Sequence, residues 1–207
     1  MDRTRWTMLM LALPLWTAHV LGAEGRIIAE EQCDQCHGPW GRSEDSLVPS
    51  IGGFSEYAII DLLESYRIGF RLARPVALPD GTETDMVEIS RALSDTEIEA
   101  VAVHYSLATW RPHKQPFDAA LAKLGAEIHS TKCAKCHSEG GSVPEDDLAI
   151  LAGQWREYLR MEFEDFESGS RRMVEKMKAK FETLSDADKA ALVEFYVSAG
   201  ETSGGRE

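Results

Sequence analysis

Basic side chains are scarce in this chain. Lys and Arg number 22 against 35 Asp and Glu, giving a formal net charge of −13 over 207 residues. Non-specific nucleic-acid binding needs a basic surface, so no nucleic-acid partner is expected. An acidic exterior suits solubility, or docking onto a basic protein. Cysteine is scarce too. Four residues are too few to staple a chain of this length through disulfides. Long apolar runs are absent beyond the first two dozen positions, so stable membrane insertion is not expected. No stretch shows the strict alternation of a half-buried strand.

What is present begins with an address. Arg3 and Arg5 precede an apolar run from Trp6 to Leu21 that ends on Gly22 and Ala23. A short basic region, a modest apolar stretch and small residues read as a secretory signal over residues 1–23, and hence as export to the periplasm.

The rest is written twice. Gly25, Cys33, Cys36 and His37 recur as Gly125, Cys133, Cys136 and His137, an offset of 100. Gly53 and Gly69 recur as Gly153 and Gly169 at the same offset. Farther on, Leu93-Ser94-Asp95 matches Leu184-Ser185-Asp186 and Tyr105 matches Tyr196, an offset of 91. The first half therefore carries nine extra residues between Gly69 and Leu93. Order is kept across every landmark, which marks an internal duplication. Two homologous domains are expected at 24–110 and 119–199. Residues 111–118, with Pro112 and Pro116, form a stiff linker, and 200–207 a flexible tail.

The local pattern is helical throughout. Ser94 and Glu97 form a capping box ahead of a stripe of Ile98, Val101, Ala102 and Tyr105. Ser185 and Asp188 open the matching helix. Ser55 is placed to cap a helix running to about Gly69, with Tyr57, Ile60, Leu63 and Tyr66 buried. Its partner spans Gln154 to Glu167 and buries Trp155, Leu159, Phe163 and Phe166. Gly25 and Gly125 permit a close helix crossing against Tyr105 and Tyr196. Each domain is small for an apolar core, and a large apolar cofactor would relieve that.

All four cysteines fall in the strings Cys33-Asp-Gln-Cys36-His37 and Cys133-Ala-Lys-Cys136-His137. This is the attachment signature of c-type haem. Two thiols on one turn reach the two vinyl groups, and the adjoining imidazole faces the iron. A four-thiolate zinc site has no use for the histidines. A redox dithiol would follow a strand. Local disulfides explain neither the histidines nor the repeat. Two covalently attached haem c groups are therefore expected.

Each iron then needs a sixth ligand or an open site. Met86 stands seven residues before Leu93, and Met177 seven before Leu184. That symmetry selects them over Met173 as axial sulfurs. His104, His113 and His129 have no counterparts in the other half and read as packing or surface residues. Pro49 is placed to offer a carbonyl to the His37 ring; its counterpart is Ala149.

These residues resemble tandem diheme class I cytochromes c: an all-α fold of two domains related by a pseudo-two-fold, each wrapped around one haem. The strings Phe117-Asp-Ala-Ala-Leu-Ala, Ile150-Leu-Ala-Gly-Gln-Trp155 and Met173-Val-Glu-Lys-Met177 are most similar to the cytochrome subunit of flavocytochrome c sulfide dehydrogenase. The resemblance implies a subunit that docks on an FAD-containing dehydrogenase, takes electrons singly and passes them to a soluble cytochrome. It implies no catalysis by the chain itself. The loop 72–85 is longer than that family leads one to expect. Two other readings remain open on the sequence: a free diheme carrier to a terminal oxidase, and a diheme peroxidase or ligand sensor with an open iron.

Overall fold

The computed structural model describes residues 22–78 and 80–202. Of the expected signal, only Gly22 and Ala23 lie among them, both helical. Of the tail, the helical residues to Thr202 are described. Among the described residues no helix is long and apolar enough to cross a membrane.

The first half opens with helix α1 (residues 22–28), a π turn at Ala29–Cys33 and the short α2 (Asp34–His37). Helices α3 (Glu56–Arg67), α4 (Met86–Ala92) and α5 (Asp95–Ser106) follow. The second half contains α6 (Ala119–Lys132), a single turn α7 (Ser138–Gly141), α8 (Arg156–Ser168), α9 (Glu175–Phe181) and α10 (Asp186–Thr202). In the nine-residue insertion, Val76–Ala77 pairs antiparallel with Glu83–Thr84 as β1 and β2. Strands of two residues are too short to show periodicity, which is why the sequence pattern does not reveal them.

Caps set the helix starts as expected. Ser55 accepts from Ala58 N–H, and Ser94 with Glu97 forms a complete capping box. Asp188 and Ser185 exchange bonds in the same way at the start of α10.

Each half is built on one tight crossing. A Cβ on Gly25 would lie 1.9 Å from the Ala100 carbonyl oxygen, and one on Gly125 would lie 2.0 Å from that of Ala191. The crossing point is thus one turn earlier than the expected tyrosines. Tyr105 and Tyr196 are buried nearby and serve otherwise: Tyr105 Oη donates to Asp34 at 3.1 Å, and Tyr196 Oη lies 3.1 Å from His129 Nδ1.

Two apolar clusters result, one per half, with Cys33 packed on the first and Cys133 on the second. Separate halves hold the two thiol pairs, so they do not converge on one four-thiolate centre. On α3, Leu63 is buried as expected and Ile60 and Tyr66 are half-buried, but the stripe departs from expectation at its start. Ala58, Ile59 and Leu63 are buried, whereas Tyr57 is 63% exposed. In α8, Tyr158, Leu159, Glu162 and Asp165 are buried, while Phe163 and Phe166 are half-buried.

The halves join through equivalent segments. Arg71 and Arg171, one repeat apart, form an antiparallel bridge. Leu72 N–H donates to Ser170 O at 2.8 Å, and Arg172 N–H donates to Phe70 O at 3.2 Å. The same strip thus pairs with itself, as a two-fold relation requires. Ile150, from the second half, completes the first cluster. The segment 111–118 has no regular structure but is not a free tether. His113 is buried, stacked on Trp155 with ring centroids 3.9 Å apart.

Candidate haem sites

The π turn and α2 carry the first string. Cys33 closes the turn, and His37 is the last residue of α2. Gly38, with φ 72 and ψ 163, ends the helix in a conformation only glycine adopts freely. His37 is buried, and its Nδ1 lies 2.9 Å from Pro49 O. A carbonyl can only accept, so Nδ1 carries the hydrogen and Nε2 keeps its lone pair. Burial lowers the His37 pKa, which favours the neutral ring that a metal binds. Burial pushes the Cys33 thiol up to about 11. All four cysteines are unpaired.

Beside this turn lies a cavity of about 760 Å³, lined by Cys33, Cys36, His37, Tyr66, Arg71 and Met86 among others. That volume is in the range of cofactor sites. Met86 is the first residue of α4, and Asp85 fixes that helix start by accepting from Val87 and Glu88 N–H. The structure therefore brings Cys33, Cys36, His37 and Met86 to one cavity.

The cavity also fits the ends of a haem. Arg71 is 6% exposed, and its Nε is buried without a hydrogen-bond partner. A buried donor left so is costly. An anionic group in the cavity would satisfy it, and haem carries two carboxylates. Around Arg71 stands a cluster that sequence reasoning missed. Arg71 Nη2 donates to Tyr158 Oη at 3.3 Å and to Glu162; Arg171 also donates to Glu162. The Arg71 guanidinium lies over the Tyr66 ring, 4.7 Å from its centroid. Burial raises the Glu162 pKa, but Arg171 and Arg71 more than offset it, leaving the carboxyl below its ordinary value. The available signal was Arg71 and Arg171 at the repeat offset, two residues after Gly69 and Gly169.

The second string lies in a turn that follows α6, where the first is partly helical. Cys133 caps α6, and its carbonyl accepts from Cys136 and His137 N–H at 3.1 and 3.0 Å. Ser138 N–H and hydroxyl both donate to Asp146, which secures the loop behind His137. Burial lowers the His137 pKa as well. Met177 is the third residue of α9, not the first, and Met173 precedes the helix; both are half-buried. By the 91-residue offset, α9 starts two residues ahead of the point that matches α4. The local register of the two halves therefore differs just where the second axial sulfur is expected. His104, stacked on Trp40, and the buried His113 and His129 are packing residues, as expected.

Comparison with known proteins agrees with this geometry. A family model described as cytochrome c oxidase, cbb3-type, subunit III matches residues 120–195. The chain is 25% identical to the thiosulfate dehydrogenase electron acceptor of Stutzerimonas stutzeri (strain A1501), and the match covers all of both chains. Reduced recombinant cytochrome c4 from Pseudomonas stutzeri superposes with a TM-score of 0.66 at 24% identity, covering 84% of this chain and 96% of that one. The thiosulfate dehydrogenase TsdBA from Marichromatium purpuratum gives a TM-score of 0.67 at 23% identity, covering 85% of this chain and 40% of that longer one.

The fold is that of a diheme cytochrome c. The two CxxCH strings and these similarities agree on covalently bound haem c, one group in each half. Haem held there would supply a one-electron centre. The chain's own part is to tether, orient and desolvate. Cys33 and Cys36 would tether the group, Pro49 sets the His37 ring, and the apolar core would keep water from it.

Proposed function

We propose that this chain takes single electrons from a dehydrogenase of inorganic sulfur compounds in the periplasm and passes them to a soluble redox protein. One observation carries the reading of relay rather than catalysis: His37 and Met86 line the same cavity. Two protein ligands then fill both axial positions, and no place is left for substrate. Met177, by its spacing to Leu184, is assigned the same role for the second haem. A thioether ligand raises the potential relative to a second imidazole, which suits accepting electrons.

The similarity along the full chain to a thiosulfate dehydrogenase electron acceptor supports the choice of donor class. So does the surface. Leu47, Leu72 and Val76 line the first cavity and are at least 37% exposed, an apolar rim beside the first haem. The loop 72–85 contributes two of these three, so it shapes the donor face. The same rim supports a second reading, in which the donor is an FAD-containing sulfide dehydrogenase and this chain its cytochrome subunit. A free-standing carrier to a terminal oxidase needs no such rim.

The test is direct. The purified diheme protein is mixed with a thiosulfate dehydrogenase and thiosulfate, or with a flavoprotein sulfide dehydrogenase and sulfide. Rapid appearance of the reduced haem spectrum identifies the donor. Reduction by neither, with fast reoxidation by a terminal oxidase, would overturn both donor assignments in favour of the free carrier.

A further inference from the structure

The His37 hydrogen bond does not end at Pro49. The carbonyl that accepts from His37 Nδ1 belongs to the Pro49–Ser50 peptide, and the N–H of that same peptide donates to Gln154 Oε1 at 3.0 Å. Gln154 is in the second half. Its Nε2 returns a bond to Ser50 O at 2.8 Å, so one amide side chain grips Ser50 by both backbone groups. Gln154 is 1% exposed and is itself held. Its backbone carbonyl accepts from Gln115 Nε2 at 3.0 Å, and its backbone N–H donates to Leu151 O at 3.1 Å. The Ser50 hydroxyl is engaged by Ser43 N–H at 3.0 Å and by His113 Nε2 at 2.8 Å. The peptide behind His37 is therefore fixed from three directions, two of them outside its own half.

Hydrogen bonds in series through one peptide polarise each other. Donation of the Ser50 N–H to Gln154 increases negative charge on Pro49 O. That oxygen then accepts more strongly from Nδ1, and Nε2 becomes a better donor to iron. A more electron-rich ligand favours the oxidised state. The matching side chain of the first half cannot make the mirror-image contact. The counterpart of Gln154 is Phe54, which is buried against Trp110 and offers no acceptor. The counterpart of Pro49 is Ala149.

We propose that Gln154 is a positioning residue for the iron ligand His37 across the domain boundary: it holds and polarises the Pro49–Ser50 peptide and so lowers the potential of the first haem alone. This rests on His37 as the ligand of that haem. It makes the first haem sensitive to how the halves are docked.

The test uses the haem-loaded full chain. Gln154→Met keeps length and loses the amide. Its expected effect is a positive shift in one of two reduction steps, the one assigned by NMR to the haem bearing His37, with the other step unmoved. Electron distribution between the haems then changes several-fold, and exchange of the His37 Nδ1 proton speeds up. Trp110→Phe removes another bond between the halves, Trp110 Nε1 to Ala152 O, and is expected to move neither step. If Gln154→Met does not fold, Gln154→Asn, too short to reach both Ser50 groups, is read the same way. Unchanged potentials in a folded variant overturn the proposal. So do equal shifts of both steps, or the same shift in Trp110→Phe. Native protein without a haem spectrum would instead defeat the haem assignment itself.

Discussion

Gly25 lies so close to Ala100 that a Cβ would sit 1.9 Å from the carbonyl oxygen and 2.4 Å from the carbonyl carbon. Neither contact can be relieved by turning a side chain, because both partners are backbone. Gly25→Ala is therefore expected to destabilise by about 1–3 kcal/mol or more, the range for forced overpacking. Gly125→Ala, against Ala191, is expected to match it. Urea unfolding followed by circular dichroism and haem absorbance checks both.

Axial ligation is open to a three-variant comparison. Met86→Ala is expected to create one carbon monoxide site per two haems in the reduced protein, and Met177→Ala the other. Met173→Ala is expected to create none. The reverse result for the last two would assign the second sulfur to Met173, which the register shift of α9 makes a fair competitor.

Glu162 sits between Arg71 and Arg171 at the junction of the halves, with Glu162 and Arg71 both buried. Removing the carboxylate leaves two guanidinium groups uncompensated. Glu162→Gln is expected to cost about 3–5 kcal/mol, as for other broken buried pairs. The acid dependence follows from the same pair. Because the folded carboxyl titrates below its ordinary value of 4.5, its contribution is full above that value and is lost as pH falls through the lower folded value. Acid titration of the native protein should show this loss, and the variant should lack it.

His113 has the opposite chemistry and the same sensitivity to acid. Burial, then the nearby Arg42, lowers its pKa from 6.5 to about 4. Between those values the unfolded chain binds a proton that the folded chain refuses. Its contribution to stability is thus full above 6.5 and falls as pH drops toward about 4. His113→Phe should flatten the slope of stability against pH in that window, measured by denaturant midpoint at several pH values.

Much of this was legible in the residues. Exact spacing did the work for the haem strings, the duplication and the two crossing glycines, because covalent attachment and backbone contact tolerate no drift. Caps were legible for the same reason: Ser55, Ser94 and Ser185 act on their own next turn. On α3 only Tyr57 was misread, since it is amphipathic and periodicity alone does not say which edge of a stripe meets solvent. The buried Glu162 and Asp165 were invisible because two of their partners, Arg71 and Arg74, arrive from 91 residues away. In the sequence Gln154 reads only as part of a string and as the start of a helix. Its role depends on Ser50, 104 residues away.

The segment joining the halves has a consequence for anyone who would separate them. His113 is sandwiched at the seam, Gln115 braces Gln154, and Pro116 O accepts from Arg156. Cutting there would strip His37 of the outer support Gln154 gives it, so a severed first half is expected to lose the redox behaviour it has in the intact chain. The duplication has made one device out of two copies, not two devices on a string.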